Sequence, residues 1–140
     1  MEYLHKLAEE SGYFLIVLGN DFEVIKHSQY YIENVGPDNF IGLIQNAEYV
    51  ITDSFHGTIF SIILNKPFVT FKRFKEGDSN NQNSRIENLF NILGIEHFYS
   101  EKDVEDENVE FVCDFSNINL KLKEQRSVSL SILKRSLKKI

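Results

Sequence analysis

Residues 49–71 read YVITDSFHGTIFSIILNKPFVTF. The first four and the last four of these residues are short apolar runs, which is typical of strands buried on both faces. Between them, Asp53-Ser54 is a helix start signal and Asn65-Lys66-Pro67 is a helix stop signal, so a helix is predicted over residues 55–64. A strand, a helix and a second strand in this order indicate a parallel sheet with a right-handed crossover. The predicted fold class is therefore α/β.

The same alternation continues on both sides of this stretch. Helices are predicted where apolar residues recur every three or four positions, and strands where the apolar run is short and continuous. The other predicted helices span 3–10, 37–47, 84–93 and 116–139, and the other predicted strands span 13–18, 30–35 and 97–99.

Two further predictions concern a loop and the last helix. Residues 72–83 are polar and have no periodicity, which predicts a flexible loop. In the last predicted helix, Leu130, Leu133 and Leu137 form an apolar stripe that is expected to pack on the domain, with the lysines facing water. The alternative for this basic helix is contact with an anionic membrane surface.

Length and composition limit the class of protein. A chain of 140 residues with 42% hydrophobic and 26% charged residues is expected to form a single globular domain over residues 1–140. The net charge of -6 argues against a general nucleic-acid binder. The single cysteine, Cys113, excludes an intrachain disulfide and a Cys-rich zinc site. No apolar run approaches the roughly 20 residues of a membrane span, and no signal peptide pattern is present, so a cytoplasmic location is predicted.

The first candidate site follows the strand at residues 49–52. Ligands of parallel α/β sheets bind beyond the carboxyl ends of the strands, often at helix N-termini. Here His56 can titrate near neutral pH, Gly57 would let a ligand approach the backbone, and Ser54 and Thr58 supply hydroxyls. The alternative is that Ser54 only caps the helix and His56 is an ordinary surface residue.

Three cationic side chains form a second group of candidate site residues. Lys72 and Arg73 follow the strand at residues 68–71, and Arg85 lies in the first turn of a predicted helix, where a cation opposes the helix dipole. A bound anion would offset the unfavourable interaction between this cation and the dipole. The pattern therefore indicates a small substrate that carries phosphate or carboxylate. The alternative is an exposed loop with chance positive charge. The sequence has no glycine-rich phosphate motif and no metal-ligand spacing.

Part of this sequence resembles the polysaccharide pyruvyl transferase family. The most specific stretches are GPDNFIGLIQNAEYVITDSFHG at residues 36–57 and NKPF at 65–68, and SRIENLFNILGI at 84–95 is similar to the family's next segment. The resemblance covers most of residues 1–100. It implies a Rossmann-like three-layer domain similar to the C-terminal half of a glycosyltransferase-B-like fold, apparently without its first strand. A missing strand would leave exposed sheet edges, so a homodimer through those edges is expected.

The resemblance also implies a reaction. The family transfers pyruvate from phosphoenolpyruvate to a pair of sugar hydroxyls, as a ketal, on a surface polysaccharide or a lipid-linked precursor. This chain would be the phosphoenolpyruvate-binding half, with no cofactor besides that donor, and would be inactive without the acceptor-binding half. The implied general acid is His56, and the implied anion contacts are Ser54, Gly57, Thr58, Lys72, Arg73 and Arg85. Many relatives have an arginine at the position of Ser54, so that cationic contact is either missing or supplied by another residue.

Two other functions stay open at this point. The chain could be the nucleotide-sugar-binding half of a glycosyltransferase, which predicts binding of a nucleotide diphosphate. It could also be a non-catalytic α/β interaction domain, which predicts no specific binding of small anions and no effect of His56→Ala.

Overall fold

The computed structural model describes residues 2–19, 30–74, 83–100 and 113–138. In these ranges helices and strands alternate along the chain. The helices are α1 (Glu2–Ser11), α2 (Pro37–Asn46), α3 (Phe55–Ile63), α4 (Asn83–Leu93) and α5 (Ser116–Leu137), and the strands are β1 (Ile16–Leu18), β2 (Tyr30–Ile32), β3 (Val50–Thr52), β4 (Phe68–Phe71) and β5 (Tyr99–Ser100).

These elements closely follow the predicted ones. The main difference is at residues 97–99, where a strand was predicted. There a 3-10 turn at Glu96–Phe98 precedes the two residues of β5. Most of the predicted loop at 72–83 lies outside the described residues, so its flexibility stays a prediction.

All described strand pairs are parallel. β1 pairs with β2, with Ile16 opposite Tyr30. A second sheet has the order β3-β4-β5, with Val50 opposite Phe68. In that sheet each strand lies beside the next one along the chain, with α3 and α4 as the crossovers. The predicted α/β class with a mainly parallel sheet is confirmed, while the likeness to half of a glycosyltransferase-B fold and the domain bounds 1–140 stay predictions.

The main apolar core lies between β4 and helices α3, α4 and α5. Phe68 on β4 is almost fully buried, stacks on Phe98 at a centroid distance of 4.9 Å and contacts Phe90 on α4 at 6.2 Å. This packing places the start of α4 beside the carboxyl end of β4. The buried members of the core are Ile62, Phe68, Ile86, Phe90, Leu93, Ile95 and Ile118.

Helix α5 packs on this core only through its first turns. Ile118 is buried and Leu122 is partly buried against the core, whereas every residue from 123 to 138 is exposed. The predicted packing of the leucine stripe on the domain is therefore wrong. The physical reason is length, because α5 has 22 residues and α4, against which it packs, has 11. None of the described helices combines the length and the apolar character needed to cross a bilayer.

Apolar side chains are also exposed around the β1–β2 sheet. Phe14, Ile16, Tyr30 and Ile32 all expose more than a third of their surface. Phe14 and Tyr30 contact each other edge to face at 5.8 Å. This sheet is a candidate surface for the predicted homodimer, and self-association stays a prediction.

Candidate active site

Ser54 begins helix α3 at the carboxyl end of β3. Its backbone is extended (φ -94, ψ 131), and its Oγ accepts a hydrogen bond from the N–H of Gly57 at 3.4 Å. Its carbonyl accepts from the N–H of Thr58 at 2.9 Å, and its own N–H donates to Oγ1 of Thr52 at 3.0 Å. Ser54 therefore caps the helix, as its residue type favours. The N–H groups of Gly57 and Thr58 already have partners within the protein.

Gly57 is buried where α3 crosses β3. A Cβ atom at this position would lie 3.1 Å from the Cβ of Thr52 and would overlap its Oγ1. The absence of a side chain therefore lets the helix approach the strand closely. This packing explains the glycine without a ligand, and the ligand contact expected at Gly57 stays a prediction.

The hydroxyl of Thr58 lies in the interior. It donates to the carbonyl of Ser54 at 3.0 Å and lies 2.9 Å from Oγ1 of Thr70 on β4. Both threonine side chains are fully buried. The Thr58 hydroxyl thus links α3 to the sheet, and its expected contact with substrate stays a prediction.

A cleft of about 260 Å³ lies beside the first turn of α3. Its walls come from the end of β3, the chain after β4 and the start of α4, which meet at the carboxyl edge of the sheet. This arginine cleft, as it is called below, is lined by Asp53, Phe55, Arg73, Phe74, Asn83, Arg85 and Ile86. The two predicted arginines, which are 12 positions apart in sequence, therefore line the same cavity.

The two arginines have different surroundings. Nε of Arg73 lies 3.7 Å from Oδ2 of Asp53, and these side chains are 57% and 55% exposed. The Arg73 guanidinium also lies 5.7 Å from the centre of the Phe74 ring. Arg85 is exposed in the first turn of α4 and has no ion-pair partner among the described residues. The positive charge of Arg85 and the positive end of the α4 dipole therefore lie together at the wall of the cleft, where both attract an anion.

Asn83 connects the two walls that carry the arginines. Its side chain is buried, its Nδ2 donates to the carbonyl of Phe74 at 2.7 Å, and its Oδ1 accepts from the N–H of Phe74 at 3.4 Å. The chain after β4 is thereby fastened to the start of α4. Asn83 was not among the predicted site residues, because residues 72–83 were assigned to a polar loop by their composition. Asp53 was considered only as part of a helix start, although it also pairs with Arg73.

Lys72 and His56 lie outside the arginine cleft. The N–H of Lys72 donates to the carbonyl of Ser100 at 3.0 Å and so prolongs the pairing of β4 with β5. His56 is exposed and contacts the ring of Phe55 edge to face at 6.0 Å. It borders a second cavity of about 260 Å³, whose other lining residues are Val35, Pro37, Phe40, Ile41 and Phe60. Phe55 and His56 are neighbours in the first turn of α3, so this turn separates the two cavities.

The described residues include no group of three or more His, Cys, Asp or Glu side chains placed to hold a metal ion.

Comparison with known proteins gives one finding. Residues 5–73 match the family model of the polysaccharide pyruvyl transferases, which confirms the resemblance over that segment. The match begins in α1 and ends at Arg73, so it includes the β3–α3 corner and one wall of the arginine cleft. Asn83 and Arg85 lie beyond it. Neither the curated proteins nor the solved structures include one that matches this chain.

Proposed function

We propose, from the match of residues 5–73 to the polysaccharide pyruvyl transferase family, that the arginine cleft binds phosphoenolpyruvate as the pyruvyl donor. The observation that supports this proposal most directly is that Arg73, after β4, and Arg85, in α4, line one cavity at the carboxyl edge of a parallel sheet. This edge is where ligands of such sheets bind.

The chemistry of the cleft suits this donor. Phosphoenolpyruvate carries a phosphate and a carboxylate on a three-carbon unit, and planar guanidinium groups bind both kinds of anion with paired hydrogen bonds. The N–H groups of Phe55 and His56, in the first turn of α3, have no partner within the helix and add further donors at the boundary of the cleft. The donor anion would take the place of the Asp53 carboxylate beside Arg73.

The proposed reaction forms a ketal at the central carbon of the donor. A proton is added to the methylene carbon, one sugar hydroxyl attacks the central carbon, and a second hydroxyl then displaces phosphate. The acid delivers its proton to the new methyl group and takes up one of the two hydroxyl protons in its place. The other hydroxyl proton leaves with phosphate.

We assign the general acid to His56. This histidine lies across the first turn of α3 from the arginine cleft. A donor held by Arg73 and Arg85 would therefore have to direct its methylene group across that turn toward His56. The acceptor is proposed to be a sugar of a polysaccharide or of its lipid-linked precursor, and no cofactor besides the donor is proposed.

The test is a two-dimensional amide NMR titration of the chain with phosphoenolpyruvate. Inorganic phosphate and a uridine diphosphate sugar serve as comparison ligands. We expect saturable shifts at Phe55, Arg73 and Arg85 that are stronger with phosphoenolpyruvate than with either comparison ligand. A preference for the nucleotide sugar would favour the glycosyltransferase alternative, and no response to any ligand would favour an interaction domain.

A pair of matched variants locates the binding site. Arg85→Gln is expected to weaken phosphoenolpyruvate binding about tenfold or more, because a charge-assisted hydrogen bond contributes about 1.5–3 kcal/mol. Arg126→Gln removes the same charge from the exposed part of α5 and is expected to change nothing. Equal affinities of the two variants would contradict the assignment of the donor to the arginine cleft.

A further inference from the structure

The outer half of α5, residues 123–138, is exposed at every position. It contains five cations (Lys123, Arg126, Lys134, Arg135 and Lys138) and one acidic residue, Glu124, in a chain whose net charge is -6. Positive charge is therefore concentrated on a helix that projects from an otherwise acidic protein.

The apolar residues of this segment follow helical spacing. Leu130, Leu133 and Leu137 lie at positions i, i+3 and i+7, so they form one stripe, and they are 54%, 54% and 61% exposed. Lys134 is four residues after Leu130, and Lys138 is four residues after Lys134, so the lysines form a row beside the stripe. Lysine side chains in such a row can extend past an apolar surface and keep their ammonium groups in a polar layer.

We propose that the outer half of α5 binds the anionic surface of a lipid bilayer, with the leucine stripe inserted at the level of the headgroups. A helix with leucines on one face and lysines beside them is typical of helices that lie in this interface. This inference is independent of the proposed reaction, because none of these residues lines the arginine cleft.

Charge favours anionic lipid over a second copy of this chain as the occupant of the stripe. Pairing with α5 of a second copy would place two cationic segments side by side, which is unfavourable. Val128 and Ile132 are also exposed, but they lie on the side of α5 opposite the leucine stripe. They are therefore not part of the surface proposed to contact lipid. The segment contains no aromatic residue, so binding is expected to depend on anionic lipid and to be reversible.

The test is co-sedimentation of the whole chain with lipid vesicles. Vesicles of phosphatidylcholine mixed with phosphatidylglycerol are compared with vesicles of phosphatidylcholine alone, at low and high salt. We expect binding to the anionic vesicles, loss of that binding at high salt, and little binding to neutral vesicles. Lys134→Gln combined with Lys138→Gln is expected to weaken binding about fivefold per cation removed. The control is Lys6→Gln combined with Lys66→Gln, which removes the same charge outside α5 and is expected to leave binding to the anionic vesicles unchanged.

A second pair of variants tests the leucine stripe. Leu130→Gln with Leu133→Gln is expected to weaken binding to anionic vesicles strongly, and Ile63→Gln with Ile92→Gln, at exposed positions elsewhere, is not. Glutamine is a good helix former, and circular dichroism would show that α5 is retained. Absence of binding to anionic vesicles, equal binding to neutral ones, or a preference for soluble polyglutamate over vesicles would overturn the proposal. The last result would indicate an acidic protein segment as the partner.

Discussion

The side chain of Asn83 makes hydrogen bonds to both backbone groups of Phe74, at 2.7 Å to the carbonyl and 3.4 Å from the N–H. One buried amide thereby connects the chain after β4 with the first residue of α4. Because Arg73 precedes Phe74 and Arg85 follows Asn83 by two positions, this connection sets the distance between the two cationic walls of the cleft.

Loss of the Asn83 amide should weaken both the fold and the cleft. Asn83→Ala leaves two backbone groups of Phe74 without their partner, and an unsatisfied buried polar group costs about 1–3 kcal/mol. We expect a loss of that size in the free energy of unfolding, measured by urea denaturation, and weaker binding of phosphoenolpyruvate. Asn91→Ala, at an exposed position in the same helix, is the control. Equal stability of the two variants would show that the Asn83 hydrogen bonds contribute nothing net.

Removing the charge of Asp53 should strengthen anion binding. The Asp53 carboxylate lies 3.7 Å from Nε of Arg73 and competes with any anion for that cation. Asp53→Asn is therefore expected to tighten phosphoenolpyruvate binding a few-fold, with the gain reduced by salt. Titration calorimetry would measure it, with Asp38→Asn in the first turn of α2 as the control. Unchanged or weaker binding by the Asp53 variant alone would indicate that the carboxylate orients Arg73 rather than competing for it.

The role of His56 can be separated from donor binding. If His56 delivers the proton to the methylene carbon, His56→Ala should lower the turnover of the enzyme with its acceptor-binding half about 100-fold or more. Binding of phosphoenolpyruvate to the arginine cleft should change little, because His56 borders the other cavity. Acceptor-dependent release of phosphate measures the first quantity, and the amide titration measures the second. His97→Ala, at an exposed histidine in the 3-10 turn, is the control, and full activity of His56→Ala would remove this residue from the mechanism.

Two glycines in helices should respond in opposite directions to the same substitution. Gly57→Ala forces a Cβ against Thr52 and should lower the free energy of unfolding by about 1–3 kcal/mol, as overpacking does. Gly42→Ala, in α2, places its Cβ where nothing lies within 4 Å and should raise stability by about 0.5–1 kcal/mol. Thermal or urea unfolding would compare them. A stable Gly57→Ala variant would mean that α3 can shift on β3 without cost.

Cys113 should make stability fall at alkaline pH. Burial, with a smaller contribution from the charge of Asp114, raises the pKa of the thiol from its ordinary value of 9.0 to about 11. The unfolded chain loses this proton first, so the contribution of the thiol to stability is complete below pH 9 and is lost as pH rises toward 11. Urea unfolding across this range should show a steeper decline for the natural chain than for Cys113→Ala. Parallel declines would mean that the thiol is not shielded in solution.

The β3–α3–β4 unit could be predicted from sequence because its signals are local. Apolar runs, a serine at the helix start and a proline after its end define the three elements without reference to the rest of the chain. The rule that ligands bind beyond the strand ends then pointed to Arg73, and the unfavourable position of a cation in the first turn of a helix pointed to Arg85. The family resemblance, rather than any residue pattern, supplied the reaction.

The features that were missed depend on tertiary contacts. The amide of Asn83 gains its importance from Phe74, nine positions earlier, and no local pattern specifies that pairing. The periodicity of Leu130, Leu133 and Leu137 shows that one face of α5 is apolar but does not say what covers it. The same limit applies to Gly57, because its contact with Thr52 depends on how closely α3 and β3 pack and no local pattern predicts that distance.

The close pairing of β3 with β4 also bears on the order in which this protein folds. Val50 and Phe68 are opposite each other although only 18 positions separate them, and Thr58 and Thr70 meet over 12. Short loops lose little chain entropy on closing, so this unit can form before the rest of the sheet and serve as the folding nucleus. Substitutions here should slow folding, whereas substitutions in the outer half of α5 should leave both the folding and the unfolding rate nearly unchanged.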